Sequence, residues 1–135
     1  MHHLAILQKQ WLPLIIEGEK TIESRWYKTK RTPYGKIKTH DTIYFKETGK
    51  LVTVKAIVEK ALFYDKLTPA KIKSIIEKHG KEIGIDASYV NEKVNYCTLI
   101  WLKEVKEIEP FNINKTGYGN MAAWITLEDI NRIKI

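Results

Sequence analysis

Apolar residues recur along the chain with two different periods, and the changes of period mark its elements. His3 to Leu7 reads as a short strand, and Gln8 to Glu17 places Trp11, Leu14 and Ile15 at helical spacing before Gly18, a residue suited to ending a helix. Thr21 to Trp26 alternates around Ile22 and Trp26 and predicts the next strand. Lys28 to His40, interrupted by Pro33 and Gly35, carries no period and predicts a loop. Asp41 to Glu47 puts Ile43 and Phe45 on one face, Leu51 to Phe63 alternates through Val52, Val54, Ala56 and Val58, and Thr48-Gly49-Lys50 joins the two as a hairpin. Thr68 and Pro69 then open a helix with Ile72, Ile75 and Ile76 on its buried stripe and Gly80 to stop it. Ile85 to Val94 holds no clear period and leaves room for another helical turn or two. Tyr96 to Ile108 returns to alternation, with Cys97, Leu99, Trp101 and Val105 against Thr98, Lys103 and Lys106, and Pro110 is expected to end it. Met121 to Ile125 is a short apolar stretch, and Thr126 is expected to start a closing helix through Ile133.

Five or so strands with hairpin-like neighbours and short helices predict an α+β fold: a mixed, mainly antiparallel sheet closing toward a barrel rather than a doubly wound parallel sheet. At 135 residues with 44% hydrophobic and 29% charged, the chain suits one domain with one packed interior. The apolar run Trp11 to Ile16 is short and broken by Pro13, so no membrane span is expected, and the N-terminal residues show no secretion signal. The single Cys97 allows no internal disulfide, which fits a reducing, cytoplasmic setting.

Charge changes this picture because it is localised. Between Lys20 and His40 stand Lys20, Arg25, Lys28, Lys30, Arg31, Lys36 and Lys38 against Glu23 alone, which accounts for nearly all of the formal net charge of +7. Such a local excess on a folded domain is a footprint for a polyanion, most often a phosphate backbone, although a solvated lysine-rich loop has the same composition.

Within that region the passage Gly18-Glu19-Lys20-Thr21-Ile22-Glu23-Ser24-Arg25 combines charge with geometry. On a strand, Thr21, Glu23 and Arg25 share one face while Ile22 and Ser24 face the other way. Lys20, at the turn before the strand, has a stem long enough to reach over the same face. Arg25 offers a planar fork for phosphate or a base edge, Lys20 a mobile point charge, and Glu23 an acceptor for an exocyclic amine or an orienting partner. A bare surface ion pair across a strand would carry the same residues and do nothing.

The spacing Gly18-x-Lys20-x-x-Glu23-x-Arg25 resembles the G-x-K-x-x-E-x-R signature of ASCH domains, and His40-Asp41-Thr42-Ile43-Tyr44-Phe45 is similar to that family's G-D-x-I-x-F strand with His40 in place of glycine. The resemblance implies a PUA-like pseudo-barrel whose cleft holds Lys20, Glu23 and Arg25 and binds RNA, with Lys28, Lys30, Arg31, Lys36 and Lys38 on the phosphates. It also implies a rival, because some small ASCH proteins are amidohydrolases acting on N-acetylated cytidine, with the signature lysine, a threonine and a later glutamate. Lys20 matches that lysine, but Glu23 occupies the threonine position beside Ser24, and only Glu77 or Glu82 offers a later carboxylate. In that reading Lys20 is base or nucleophile and Glu23 carries the proton.

A second candidate site is Gly117-Tyr118-Gly119-Asn120-Met121-Ala122-Ala123-Trp124, where Tyr118 can stack on a base and Asn120 read its edge. Trp124, in an apolar run, is expected in the core. Trp26, Tyr27 and Tyr34 interleave with the basic loop as stacking candidates, and Trp26 fits a core position equally well. His2, His3, His40 and His79 have no ligand spacing, so no metal and no cofactor are expected; His79 is read as a helix-end charge and Cys97 as a buried small hydrophobe. The expected function is an RNA-binding module, for single-stranded or structured RNA or a nucleoside ligand.

Overall fold

The computed structural model describes every residue except Asn120. Its strands are β1 (His2–Leu7), β2 (Ile22–Tyr27), β3 (Thr42–Glu47), β4 (Val52–Tyr64), β5 (Tyr96–Phe111) and β6 (Trp124–Leu127), and its helices are α1 (Trp11–Glu17) and α2 (Pro69–Ile83). Short 3-10 turns at Ala87–Tyr89 and Ile130–Arg132 complete it. The six strands form one sheet in the order β2-β5-β4-β3-β1-β6, antiparallel except for the β1–β3 pair. This is the α+β, mainly antiparallel arrangement that the periodicity predicts.

The sheet curls until its two edges face each other. Arg25 on β2 reaches across the gap to the carbonyls of Ile6 and Ala123, each at 3.4 Å, so an edge strand and the far side of the sheet are bridged by one side chain. What remains open between them is a seam, and the candidate site lies in it.

Inside the curl, Ile43, Phe45, Val54, Ala56, Val58 and Ile100 pack together with Leu12 and Ile15 of α1. Outside it, α2 lays Ile72, Ile75, Ile76 and Ile83 over Ile22, Cys97 and Leu99. β5 is therefore covered on both faces, which explains why Leu99 and Ile100 are both fully buried although they point opposite ways. Burying each such side chain contributes roughly 1.5–3 kcal/mol. Ile37, packed into the inner core, helps tie down the basic loop, where Pro33 is also buried.

Local signals hold at several places. The Thr68 hydroxyl accepts from Lys71 N at 3.2 Å and caps α2 with Pro69 in its first turn, and Gly49 takes the left-handed turn of the β3–β4 hairpin. Cys97 is fully buried, and burial pushes its thiol pKa up.

Three boundaries differ from the sequence reading. Gly80 does not stop α2, which continues to Ile83 and ends at Gly84 in the left-handed region. Gly80 is needed for closeness instead, since a Cβ there would sit 2.8 Å from the Ile85 carbonyl. Pro110 does not end β5: β2 pairs only as far as Trp101, so the outer edge of β5 beyond it makes no demand for a proline N–H. The closing helix from Thr126 is absent, because Trp124 to Leu127 pairs with the open edge of β1 and only a single 3-10 turn follows. The ambiguous segment after α2 contains one 3-10 turn with Asp86 as its cap. No helix is long and apolar enough to cross a membrane.

A candidate ligand cleft in the seam of the barrel

The signature residues reach the seam through the end of α1. Gly18 adopts φ 83°, a conformation that suits glycine, and the N–H groups of Glu19 and Lys20 both bond the Leu14 carbonyl at 3.0 Å. The chain reverses there, and Lys20 is turned inward. Alternation along β2 then places Glu23 and Arg25 on the inner side, as the strand reading requires.

Lys20 is only 3% exposed, yet its ammonium is fully engaged. Nζ donates to the carbonyls of Ile83 at 2.7 Å and Ile22 at 3.0 Å and lies 3.4 Å from Glu23 Oε1, three acceptors for three protons. The Trp11 ring lies 5.1 Å away and supplies a cation–π contact. Burial lowers the Lys20 pKa, and the Glu23 carboxylate opposes that shift. Glu23 accepts from Ser24 N at 2.8 Å through Oε1 and from the Arg25 guanidinium at 3.3 Å through Oε2. Burial pushes its carboxyl up, but the Lys20 and Arg25 charges and the Ser24 N–H outweigh it and hold the pKa below the ordinary carboxylate value. Glu23 is therefore an anion pinned between two cations.

Arg25 is stacked on Trp124, its guanidinium carbon 5.0 Å from the ring centre. Trp124 is itself fixed from behind, where its indole N–H donates to His3 Nδ1 at 3.2 Å. An indole only donates, so Nδ1 is the acceptor and the Nε2 proton goes to Asp41 Oδ2 at 2.8 Å. Burial lowers the His3 pKa, with Asp41 opposing, and keeps the ring neutral.

Above this floor opens a cavity of about 780 Å³. Its walls include Trp11, Trp26, Tyr27, Tyr89 and Asn91, and the strap before β6 contributes Lys115, Met121, Ala122 and Ala123. Trp11 and Tyr89 meet edge to face with centroids 5.4 Å apart. Among the described residues Glu23 is the sole carboxylate on this lining, against Lys20, Arg25 and Lys115. A cationic, aromatic-walled cleft of this size can take a planar ring with an anionic substituent.

Lys20, Glu23 and Arg25 thus converge as the spacing predicts. Lys28, Lys30, Arg31, Lys36 and Lys38 do not line the cleft; all are exposed on the adjoining loop, with Arg31 4.8 Å from the Tyr27 ring at its edge. Tyr118 is exposed outside the cleft, and Asn120 lies outside the described residues. Trp26 does both jobs considered for it, packing under α2 and lining the cleft, while Trp124 is core with one face given to Arg25. Glu77 and Glu82 sit on the exposed side of α2, away from the cleft. His79 packs against Trp101 at 5.3 Å, and burial lowers its pKa, so it is a neutral packing residue rather than a helix-end charge. Trp11, Tyr89 and Gln8 escaped sequence reasoning as site residues; the only signal was Trp11 about two helical turns before the glycine of the signature. Among the described residues no cluster of His, Cys, Asp or Glu is placed to hold a metal ion.

No known family description and no curated protein matches this sequence. Solved structures do. The ASCH protein from Zymomonas mobilis superposes with a TM-score of 0.69 at 20% identity over 94% of this chain and 87% of its own. A point variant of it gives 0.73 at 18% identity over 97% and 93%. A hypothetical protein, PH0355, is 27% identical over 80% of this chain and all of its own, with a TM-score of 0.53. At these identities the likeness concerns architecture, and it covers nearly the whole chain: this protein has the fold of those ASCH structures, an α+β curled sheet.

Proposed function

We propose that the seam cleft binds a nucleotide of an RNA strand, with the exposed cations of the neighbouring loop drawing in its phosphates. The observation that carries this reading is the division of labour in the cleft: its charges are fixed in place by one another while its walls are aromatic. Stacking on a base is sequence-tolerant and favourable at such walls, and Arg25 presents a planar donor set held by Trp124 and Glu23. A preorganised guanidinium loses little freedom on meeting a phosphate or a base edge.

The amidohydrolase reading finds less support. Lys20 has a lowered pKa, as a base or nucleophile would need, but its three protons face three acceptors, and a neutral amine there would turn a lone pair toward carbonyl oxygens. The cleft also offers no second carboxylate to shuttle a proton. Lys20 reads as the brace that holds Glu23.

Filter-binding titrations of a single-stranded RNA against salt test the proposal. Log affinity should fall linearly with log salt, by about 0.7 for each phosphate neutralised on a single strand. Arg25→Ala should weaken binding by at least tenfold at every salt concentration. Absence of binding at low salt, or an affinity indifferent to salt, would reject it. Release of acetate from N-acetylated cytidine that disappears in Lys20→Ala would favour the enzyme instead.

A further inference from the structure

The five predicted phosphate-binding residues lie outside the cleft, so something must connect it to them. The sheet register supplies the connection. Arg25 pairs across from Thr98, and Thr98 pairs across from Phe63, so a cleft residue and Phe63 stand in one row on one face, two strands apart, roughly 10 Å. In the next row Tyr27, at the cleft edge, pairs across from Tyr96. Tyr34 of the basic loop lies over this end of the sheet, 5.1 Å from Tyr96 and 5.3 Å from Phe63. Tyr96, Tyr34 and Phe63 are therefore in ring contact at the end of β4, and Tyr27, at the cleft mouth, stands directly across the strand pair from Tyr96.

Cations flank the run. Arg31 lies 4.8 Å from the Tyr27 ring and Lys30 Nζ 5.8 Å from the Tyr34 ring, both on exposed side chains. Burial raises the Tyr34 pKa, and the Asp65 carboxylate and Tyr96 add to the shift. Phe63 is 39% exposed, whereas Phe45 on the same inner face of the sheet is wholly buried. A ring left half in water beside a row of cations has the chemistry of a stacking platform for a charged strand.

We infer that Tyr27, Tyr96, Tyr34 and Phe63, with Arg31 and Lys30, form a second subsite that takes the nucleotides flanking the one held in the cleft, so that the protein binds a stretch of single-stranded RNA rather than a lone nucleotide. This rests on the nucleotide reading of the cleft. An equimolar mixture of the four nucleoside 5′-monophosphates, followed by tryptophan fluorescence, probes the cleft alone. A labelled octanucleotide pool of random sequence, followed by anisotropy, probes cleft and track together.

The octanucleotides should bind at least tenfold more tightly than the monophosphates. Phe63→Ala should weaken octanucleotide binding about tenfold, in the range of one lost base stack, and leave the monophosphates unchanged. Phe63→Tyr should restore it to within about twofold, as the ring returns. Lys30→Gln should lower the octanucleotide salt slope by about 0.7. Unchanged monophosphate binding shows that each variant is folded. If Phe63→Ala leaves octanucleotide affinity intact while Arg25→Ala lowers it, the track is wrong and the cleft stands. If neither probe binds the wild-type protein, both fall.

Discussion

The floor of the cleft and the loop beside it are built from the same charged residue types and behave in opposite ways. Lys20 and Glu23 are buried and Arg25 is largely covered, and their hydrogen bonds fix them to carbonyls, to an amide and to one another. Lys28, Lys30, Arg31, Lys36 and Lys38 stand in solvent, and none makes a salt bridge among the described residues. Position and partner, rather than charge, separate a group that shapes a site from one that attracts a ligand to it. A buried ion removed from its set leaves the others uncompensated in a poor dielectric; an exposed one leaves only its own field.

The sharpest way to break this contrast is to delete the central anion. Glu23→Leu leaves the Lys20 ammonium without its carboxylate and Arg25 without its anchor, and should cost about 3–5 kcal/mol of stability. Urea denaturation measures it. A loss below about 1 kcal/mol would show that water already screens the cluster, and the distinction between floor and loop would vanish.

Much of this was legible from the chain because it is local. The strand alternation put Glu23 and Arg25 on one face, and Gly18 marked the reversal that turns Lys20 inward. The β3–β4 hairpin and the start of α2 also follow from neighbouring residues. What escaped is set by partners distant in sequence. Pro110 stays in a strand only because β2 stops pairing at Trp101, and Trp124 to Leu127 becomes a strand only because the edge of β1 is open to it. The same holds for the cleft walls: Trp11 and Tyr89 are 78 positions apart, and the fold alone brings their rings to 5.4 Å. A run of lysines likewise marks a local excess of positive charge without saying that its members stand outside the pocket.

A second buried polar set tests whether burial or cleft geometry governs the energetics. His3 is fully buried behind Trp124, bonded to Asp41 and out of reach of the cleft. Its folded pKa lies below the ordinary histidine value of about 6.5 because burial disfavours the cation. Below that value the unfolded chain takes up a proton that the folded chain refuses, so stability is full above about pH 6.5 and falls as pH drops toward the lowered folded pKa. The slope is at most about 1.4 kcal/mol per pH unit for one group. His79, lowered in the same direction by burial and Lys78, adds its own part. Thermal unfolding between pH 7 and 5 should show the decline, and His79→Gln should leave the His3 share in place. A His3→Gln protein with an undiminished slope would assign the whole effect elsewhere and leave the Trp124 support untitrated.

The smallest effect on stability belongs to the loop, and it separates the two regions most cleanly. Lys36→Gln and Lys38→Gln remove exposed charges whose side chains make no hydrogen bond or salt bridge among the described residues, while the Lys38 backbone N–H that bonds Asp41 is retained. Each should shift unfolding by less than about 0.5 kcal/mol. If these lysines attract phosphate, each should also reduce the salt slope of RNA binding by about 0.7 and weaken all sequences alike, because a phosphate contact carries no base information. Arg25→Ala should do the reverse, changing affinity strongly and the slope by no more than one phosphate's worth. A loop variant that altered sequence preference, or destabilised the fold as a floor variant does, would erase the division that the two sets of charges display.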